Sequence, residues 1–230
     1  MSSQVWQVTL AVLLLVLAFD FAMAYRQRNV ETSLSTAVSW TLFYVAAAVV
    51  FGISLGQWAD TQSQNEFFAG WLTEYSLSFD NLFVFVLILA RLKVAKEKEQ
   101  LILLIGIAMA LVMRGGFIAL GSVIVSKFAW VFFFFGAFLI YTAYTLVKES
   151  DEEEWEEGRV ISYLRRKGAS TFTLALVAIA MTDVLFAFDS IPAIFGLTKD
   201  PYIIVTANIF ALMGLRQLYF LIGGLMKKLI

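Results

Sequence analysis

The charges of this chain are gathered into short clusters. Between the clusters lie apolar stretches of roughly 20 residues, the length of helix that crosses a hydrocarbon core. Such stretches fall near residues 5–25, 36–58, 66–91, 100–125, 128–147, 171–198 and 202–226. Membrane strands would instead show short alternating segments. The expected fold is therefore all-α, a polytopic membrane bundle of about seven transmembrane helices forming one domain over residues 1–230. Composition agrees: 15% of residues are charged, against roughly 25% in soluble domains, and the mean hydropathy is +0.81. Ala22-Met23-Ala24 resembles a signal-peptide cleavage site, but no Lys or Arg precedes the first apolar run and Asp20 interrupts it. A retained helix is expected.

Lys and Arg mark cytoplasmic loops, and here they occupy alternate connections. Arg26 and Arg28 follow the first stretch, and Arg91, Lys93, Lys96 and Lys98 follow the third. Lys148, Arg159, Arg165, Arg166 and Lys167 follow the fifth, and Lys227 and Lys228 sit in the tail. The opposite connections hold only Lys127 and Lys199. This bias predicts an outside N-terminus, a cytoplasmic C-terminus and an odd number of spans in a bacterial plasma membrane. The long connection 148–170, with its acidic run Glu149 to Glu157, reads as a solvated cytoplasmic loop with room for a short helix. Polar Gln62, Ser63, Gln64 and Asn65 read as an outer loop.

The third and sixth stretches repeat a pattern. Glu74-Tyr75-Ser76-Leu77-Ser78-Phe79-Asp80-Asn81 matches Asp183-Val184-Leu185-Phe186-Ala187-Phe188-Asp189-Ser190: carboxylate, five residues, carboxylate, then an amide or hydroxyl. The next stretch in each case carries an arginine, Arg114 or Arg216, in similar surroundings. Three crossings separate the copies, so they run in opposite directions. An inverted-topology repeat with a site near the midplane is expected.

Ionisable groups cost about 2.5–3.5 kcal/mol each in the bilayer centre on insertion scales, so they persist where they have partners or a function. Asp20, Glu74, Asp80, Asp183 and Asp189 outnumber Arg114 and Arg216. That excess of acid suits a bound cation or a proton. On a regular helix Glu74 and Asp80 lie about 120° apart and about 9 Å along the axis, whereas Glu74, Ser78 and Asn81 share a face. A site using both carboxylates needs an unwound turn or ligands from both repeats. Pro192, which has no amide for the Phe188 carbonyl, is the expected place for such a break.

No cysteine and no histidine are present. The available ligands are carboxylates, Asn and Ser oxygens, carbonyls and water, which suit Mg²⁺, Ca²⁺ or Mn²⁺ rather than zinc or copper. The expected metal shell is Glu74, Asp80, Asn81, Asp183, Asp189 and Ser190, with Asp20, Ser78, Arg114, Asn208 and Arg216 as supporting ion-pair or pathway residues. The plainer reading of Arg114 and Arg216 is as structural counter-ions to the acids. The run Phe132–Phe135 reads as lipid-facing, and Gly115, Gly116, Gly121 and Gly136 as sites of close helix packing. No nucleophile–base pair, phosphate loop or nucleotide motif is present. Neither an enzyme nor a prosthetic group is expected, and the balanced charge offers nothing to nucleic acid.

These residues also carry a resemblance. EYSLSFDNLFVF at 74–85, VMRGGFIALG at 112–121, FGAFLIYT at 135–142, TDVLFAFDSIPAIF at 182–195 and NIFALMGLRQLYF at 208–220 resemble the ordered motifs of the TerC family. That family resembles the LysE-type transporter superfamily, includes Alx-like manganese exporters and takes its name from tellurium-resistance operons. The resemblance implies metal efflux, with the ion pathway at Glu74, Asp80, Asp183 and Asp189. Tyr25-Arg26 stands where relatives often carry His-Arg, and Ile230 ends the chain where many relatives continue through two further spans.

The leading expectation is an Mn²⁺ exporter, proton exchange being one form of coupling. The alternative is a non-transporting scaffold or metal-delivery partner in which the acids are structural. A two-aspartate intramembrane protease is a third, remote reading. Expected partners are a divalent cation and membrane lipid, with homo-oligomerisation or another membrane protein left open.

Overall fold

The computed structural model describes residues 2–26, 33–128, 130–148, 158–215 and 217–222, which are helical apart from short connections. The elements are α1 (Ser3–Arg26), α2 (Leu34–Trp58), α3 (Thr61–Arg91), α4 (Lys96–Lys127), α5 (Val131–Lys148), α6 (Arg159–Arg166), α7 (Thr171–Leu197) and α8 (Pro201–Leu212). Beyond α8 helix resumes at Leu215 and over 217–222. Among the described residues, six helices are long and apolar enough to cross a membrane, counting Pro201–Ile222 as one; the Val131–Thr142 part of α5 is a shorter apolar helix. The chain is a multi-pass helical membrane protein.

Helix starts follow their local chemistry. Ser33, Asp60, Ser170 and Asp200 each accept a hydrogen bond from a backbone amide in the first turn, satisfying donors that a helix start leaves orphaned. Asp60 explains why α3 begins before residue 66. Gln62, Ser63, Gln64 and Asn65 form its first turns rather than a loop, with Gln62 donating to Glu66 one turn on at 2.8 Å. The short helix expected in the loop after α5 is α6, which inserts Ile161 against the base of α7. The acidic run Glu149–Glu157, Arg28, Arg216, Lys227 and Lys228 lie outside the described residues.

Two features differ from expectation. Pro192 sits within an unbroken α7. The break lies instead in the last span, where Met213 is extended (φ −63°, ψ 127°) and Gly214 has φ +87°. That left-handed conformation is open to glycine without a Cβ penalty. Of the glycines expected at close contacts, only Gly121 is one: a methyl there would lie 2.6 Å from the Phe195 ring. Gly115, Gly116 and Gly136 have no neighbour within 4 Å of such a methyl. Phe133 and Phe134 are exposed, as a lipid-facing run requires.

Helices α3, α4, α7 and α8 form the centre, with α3 packed on α7 and α8, and α4 packed on the same two. The two repeat halves are thus interleaved. The Thr198 hydroxyl, just past the end of α7, donates to Glu66 near the start of α3. At the other end Leu89 of α3 shares a cluster with Leu174 of α7. Helices α3 and α7 are therefore antiparallel, as an inverted repeat demands.

Two apolar clusters fill the bundle, one toward each end. The first contains Leu55, Phe67, Val125, Ile194, Phe195 and Tyr202, and the second Leu82, Leu89, Ile102, Leu103, Leu174 and Ile179.

Candidate functional site

Where the central helices pass from one apolar cluster to the other, they carry polar groups. On α3 these are Glu74, Ser78 and Asn81, on α4 Arg114, on α7 Asp183 and Ser190, and on α8 Asn208. Glu74, Arg114 and Asp183 are 0%, 2% and 3% exposed. Arg114 is the hub. Its Nη1 donates to Glu74 Oε2 at 2.5 Å and to Asn208 Oδ1 at 3.4 Å. Its Nη2 lies 3.5 Å from Asp183 Oδ1. With the Asn81 amide turned so that its oxygen faces the guanidinium, Asn81 accepts from Nη2 at 3.1 Å and donates to the Leu77 carbonyl at 2.9 Å.

The arrangement is a charge-assisted triad that ties the first carboxylate of each repeat to one arginine. Its formal charge is −1 if both acids are ionised, and its hydrogen bonding is incomplete. Among the described residues, Glu74 Oε1, Asp183 Oδ2, Ser78 Oγ, Ser190 Oγ and Arg114 Nε are buried without a hydrogen-bond partner within 3.5 Å. Buried polar atoms are overwhelmingly paired in native proteins, so the unpartnered oxygens of Glu74 and Asp183 single out the level of Arg114 as the candidate site. A cavity with about 10 Å³ of space, room for about one water, touches Ser78, Asn81, Arg114 and Asp183 and runs toward Leu82, Phe85 and Leu103.

The four carboxylates of the repeats do not form one site. Asp80 is exposed and Asp189 is half-buried, and neither has a hydrogen bond or ion pair among the described residues. Among those residues no group of three or more acidic side chains is placed to hold a metal. The reason is helical phase. Glu74 and Asn81, like Asp183 and Ser190, are seven apart and share a face, whereas Asp80 and Asp189 stand about 100° away from that face. The inward pairs of the repeat are positions one and eight, not one and seven.

Asp20 forms a second polar centre. It accepts from the Tyr44 hydroxyl at 2.9 Å and from Gln217 Nε2 at 3.2 Å. It lines a cavity with about 60 Å³ of space beside the Met213–Gly214 break, across Leu212 and Ile107 from the Arg114 cavity. Sequence reasoning missed Tyr44 and Gln217. A glutamine beside an arginine in an apolar stretch was the available signal for Gln217; Tyr44 carried none.

A multi-pass bundle whose antiparallel repeats enclose a buried, under-satisfied ion cluster defines a membrane protein of the inverted-repeat class. Residues 59–230 match the family model described as "Integral membrane protein TerC family", and the chain belongs to that family. It is 37% identical to an uncharacterized membrane protein of Mycobacterium tuberculosis H37Rv, over 100% of this chain and 64% of the relative. It is 34% identical to an uncharacterized membrane protein of Myxococcus xanthus, over 99% of this chain and 77% of the relative. It is 30% identical to Alx of Escherichia coli K12, which is named for a proposed role as a membrane-bound redox modulator, over 97% of this chain and 78% of Alx. The chain thus spans under two thirds of the length of the mycobacterial relative. No solved structure matches it.

Proposed function

We propose that this chain is the core of a secondary transporter that exports a hard divalent cation, Mn²⁺ first among candidates, across the bacterial plasma membrane. The carrying observation is the pair of buried carboxylates, Glu74 and Asp183, each with one oxygen unpartnered, held between two apolar plugs. Oxygen-only ligands favour Mn²⁺, Mg²⁺ or Ca²⁺. The Ser78 hydroxyl and the amide oxygens of Asn81 and Asn208, gathered around Arg114, are further oxygen donors; Ser190 stands about 10 Å along α7 from Asp183 and falls outside that group. The distribution of Lys and Arg supports an outside N-terminus and a cytoplasmic C-terminus.

The triad geometry itself favours a second reading, a non-transporting scaffold in which Arg114 permanently bridges Glu74 and Asp183 and offsets one of their two charges. Flux into oriented proteoliposomes separates the two. Mn²⁺, Mg²⁺, Ca²⁺ and Zn²⁺ are compared with and without a pH gradient, for wild type and Asp183→Asn. Saturable Mn²⁺ flux lost in the variant supports the transporter; a folded wild type that moves no ion supports the scaffold.

A further inference from the structure

Arginine normally secures buried carboxylates with a two-pronged fork that satisfies both oxygens of the acid. Arg114 does not. Its Nη1 reaches one oxygen of Glu74, its Nη2 stands 3.5 Å from one oxygen of Asp183, and its Nε has no partner. The second oxygen of each acid is also without a hydrogen-bond partner among the described residues, although the three side chains are almost wholly buried. A permanent structural triad would be expected to saturate these atoms. Arg114 is thus tied closely to Glu74, with Asn208 and Asn81 beside it, and its contact with Asp183 is the long one.

Charge leads to the same point. With the arginine in place the two acids and the guanidinium sum to −1. A divalent ion in its place would offset both acids once the guanidinium has swung out of the layer, whereas a divalent ion beside it would bring like charges together in a medium that screens them poorly. The space beside the side chain holds about one water, so it must widen before the guanidinium can move into it. Helical side chains lean toward the N-terminus of their helix, and the Arg114 cavity extends toward Leu103 and Ile107 in the N-terminal half of α4.

We propose that Arg114 is a tethered competitor for the transported ion: it occupies the place of the divalent cation between Glu74 and Asp183 when the carrier is empty, and is displaced when the ion binds. This rests on the transporter reading above. Its consequence is specific. The empty carrier can reorient because Arg114 offsets one of its two buried negative charges, and the loaded carrier can reorient because the ion offsets both. Without the arginine only the loaded form crosses.

The test compares net Mn²⁺ efflux with Mn²⁺/Mn²⁺ exchange in proteoliposomes for wild type, Arg114→Gln and Arg114→Lys, alongside equilibrium Mn²⁺ binding to each purified protein. Arg114→Gln is expected to bind Mn²⁺ more tightly, to keep exchange and to lose net efflux. Arg114→Lys restores a tethered charge and is expected to recover net efflux. Loss of exchange together with net efflux in a folded Arg114→Gln, or its unchanged net efflux, would overturn the proposal. If Arg114→Gln fails to fold, Arg114→Lys decides through binding and flux. The shorter ammonium is the poorer competitor, so tighter Mn²⁺ binding with net efflux retained supports the tether, and binding unchanged or net efflux lost refutes it. If wild type neither binds Mn²⁺ nor runs exchange or net flux of it, the transporter reading has failed instead, which is a different result.

Discussion

Asp80 and Asp189 lie outside the central cluster, and the antiparallel arrangement of α3 and α7 puts them on opposite sides of it. Glu74 and Asp183 share the level of Arg114. From that level each second carboxylate lies six residues onward, about 9 Å along its helix at 1.5 Å per residue. Because the helices run in opposite directions, Asp80 is displaced toward the 91–95 connection and Asp189 toward the 198–200 connection. The two are therefore separated by about 18 Å along the bundle axis. By the proposed orientation Asp80 lies toward the cytoplasmic side and Asp189 toward the outer side.

The chain contains no cysteine, so Asp80→Cys and Asp189→Cys each create a unique thiol without a background to remove. A charged, membrane-impermeant thiol reagent added from one side must cross the apolar plugs to reach the wrong cysteine. Carrying a charge through hydrocarbon costs about 2.5–3.5 kcal/mol on insertion scales. At 1.36 kcal/mol per decade that is a rate ratio of about 70- to 370-fold between the two sides. The expected result in inside-out and right-side-out vesicles is fast labelling of Asp80→Cys from the cytoplasmic side and of Asp189→Cys from the outer side. Equal rates from both sides, the same preferred side for both, or no labelling of either would refute the assignment. The last outcome would mean that these faces meet lipid rather than a water-filled path.

Three further outcomes are expected. Glu74→Gln removes the closest partner of buried Arg114, a change that costs about 3–5 kcal/mol in buried pairs of soluble proteins; it should lower the unfolding midpoint in detergent and abolish Mn²⁺ flux, and an unchanged midpoint would show that the triad is not holding the bundle. Gly214→Ala places a Cβ in a left-handed conformation, 3.0 Å from the Tyr44 ring, at about 1–2 kcal/mol; Gly214→Asn should cost less, and calorimetry of the two variants gives the order. Gly121→Leu should destabilise by about 1–3 kcal/mol through collision with Phe195, whereas Gly136→Ala, with open space around it, should change thermal stability by less than about 0.5 kcal/mol.

The helices were legible because a membrane leaves so few alternatives. A run of apolar residues bounded by Ser33, Asp60 or Ser170 has only one way to satisfy its backbone in lipid. What misled was the reading of individual polar residues. Gln62–Asn65 looked like a loop by composition, but an aspartate cap and an i,i+4 pair extend α3 through them. Pro192 looked like the break because it removes a backbone hydrogen bond. One missing bond, however, does not open a helix whose flanks at Ile191, Ile194 and Phe195 are packed in the core. The break falls at Gly214, where packing against Tyr44 requires a backbone conformation that glycine supplies, and nothing in the local sequence distinguishes that glycine from the others.

The site was legible as a list of residues and not as a geometry. The repeat draws the eye to the two carboxylates six apart, because they are the rarest residues in an apolar helix. Yet the face that turns inward is set by the apolar phase, and that phase pairs Glu74 with Asn81 and Asp183 with Ser190. One charge from each repeat is thereby buried with a neutral oxygen seven residues on, and the other is turned aside. An inverted repeat that buried all four acids against a single arginine would concentrate a charge of −3 in a layer almost closed to water. By rotating the second acid of each copy off the inner face, the same sequence pattern leaves a central layer at −1 with one acid above it and one below. That distribution follows from a spacing of six on a helix whose inner face repeats at seven.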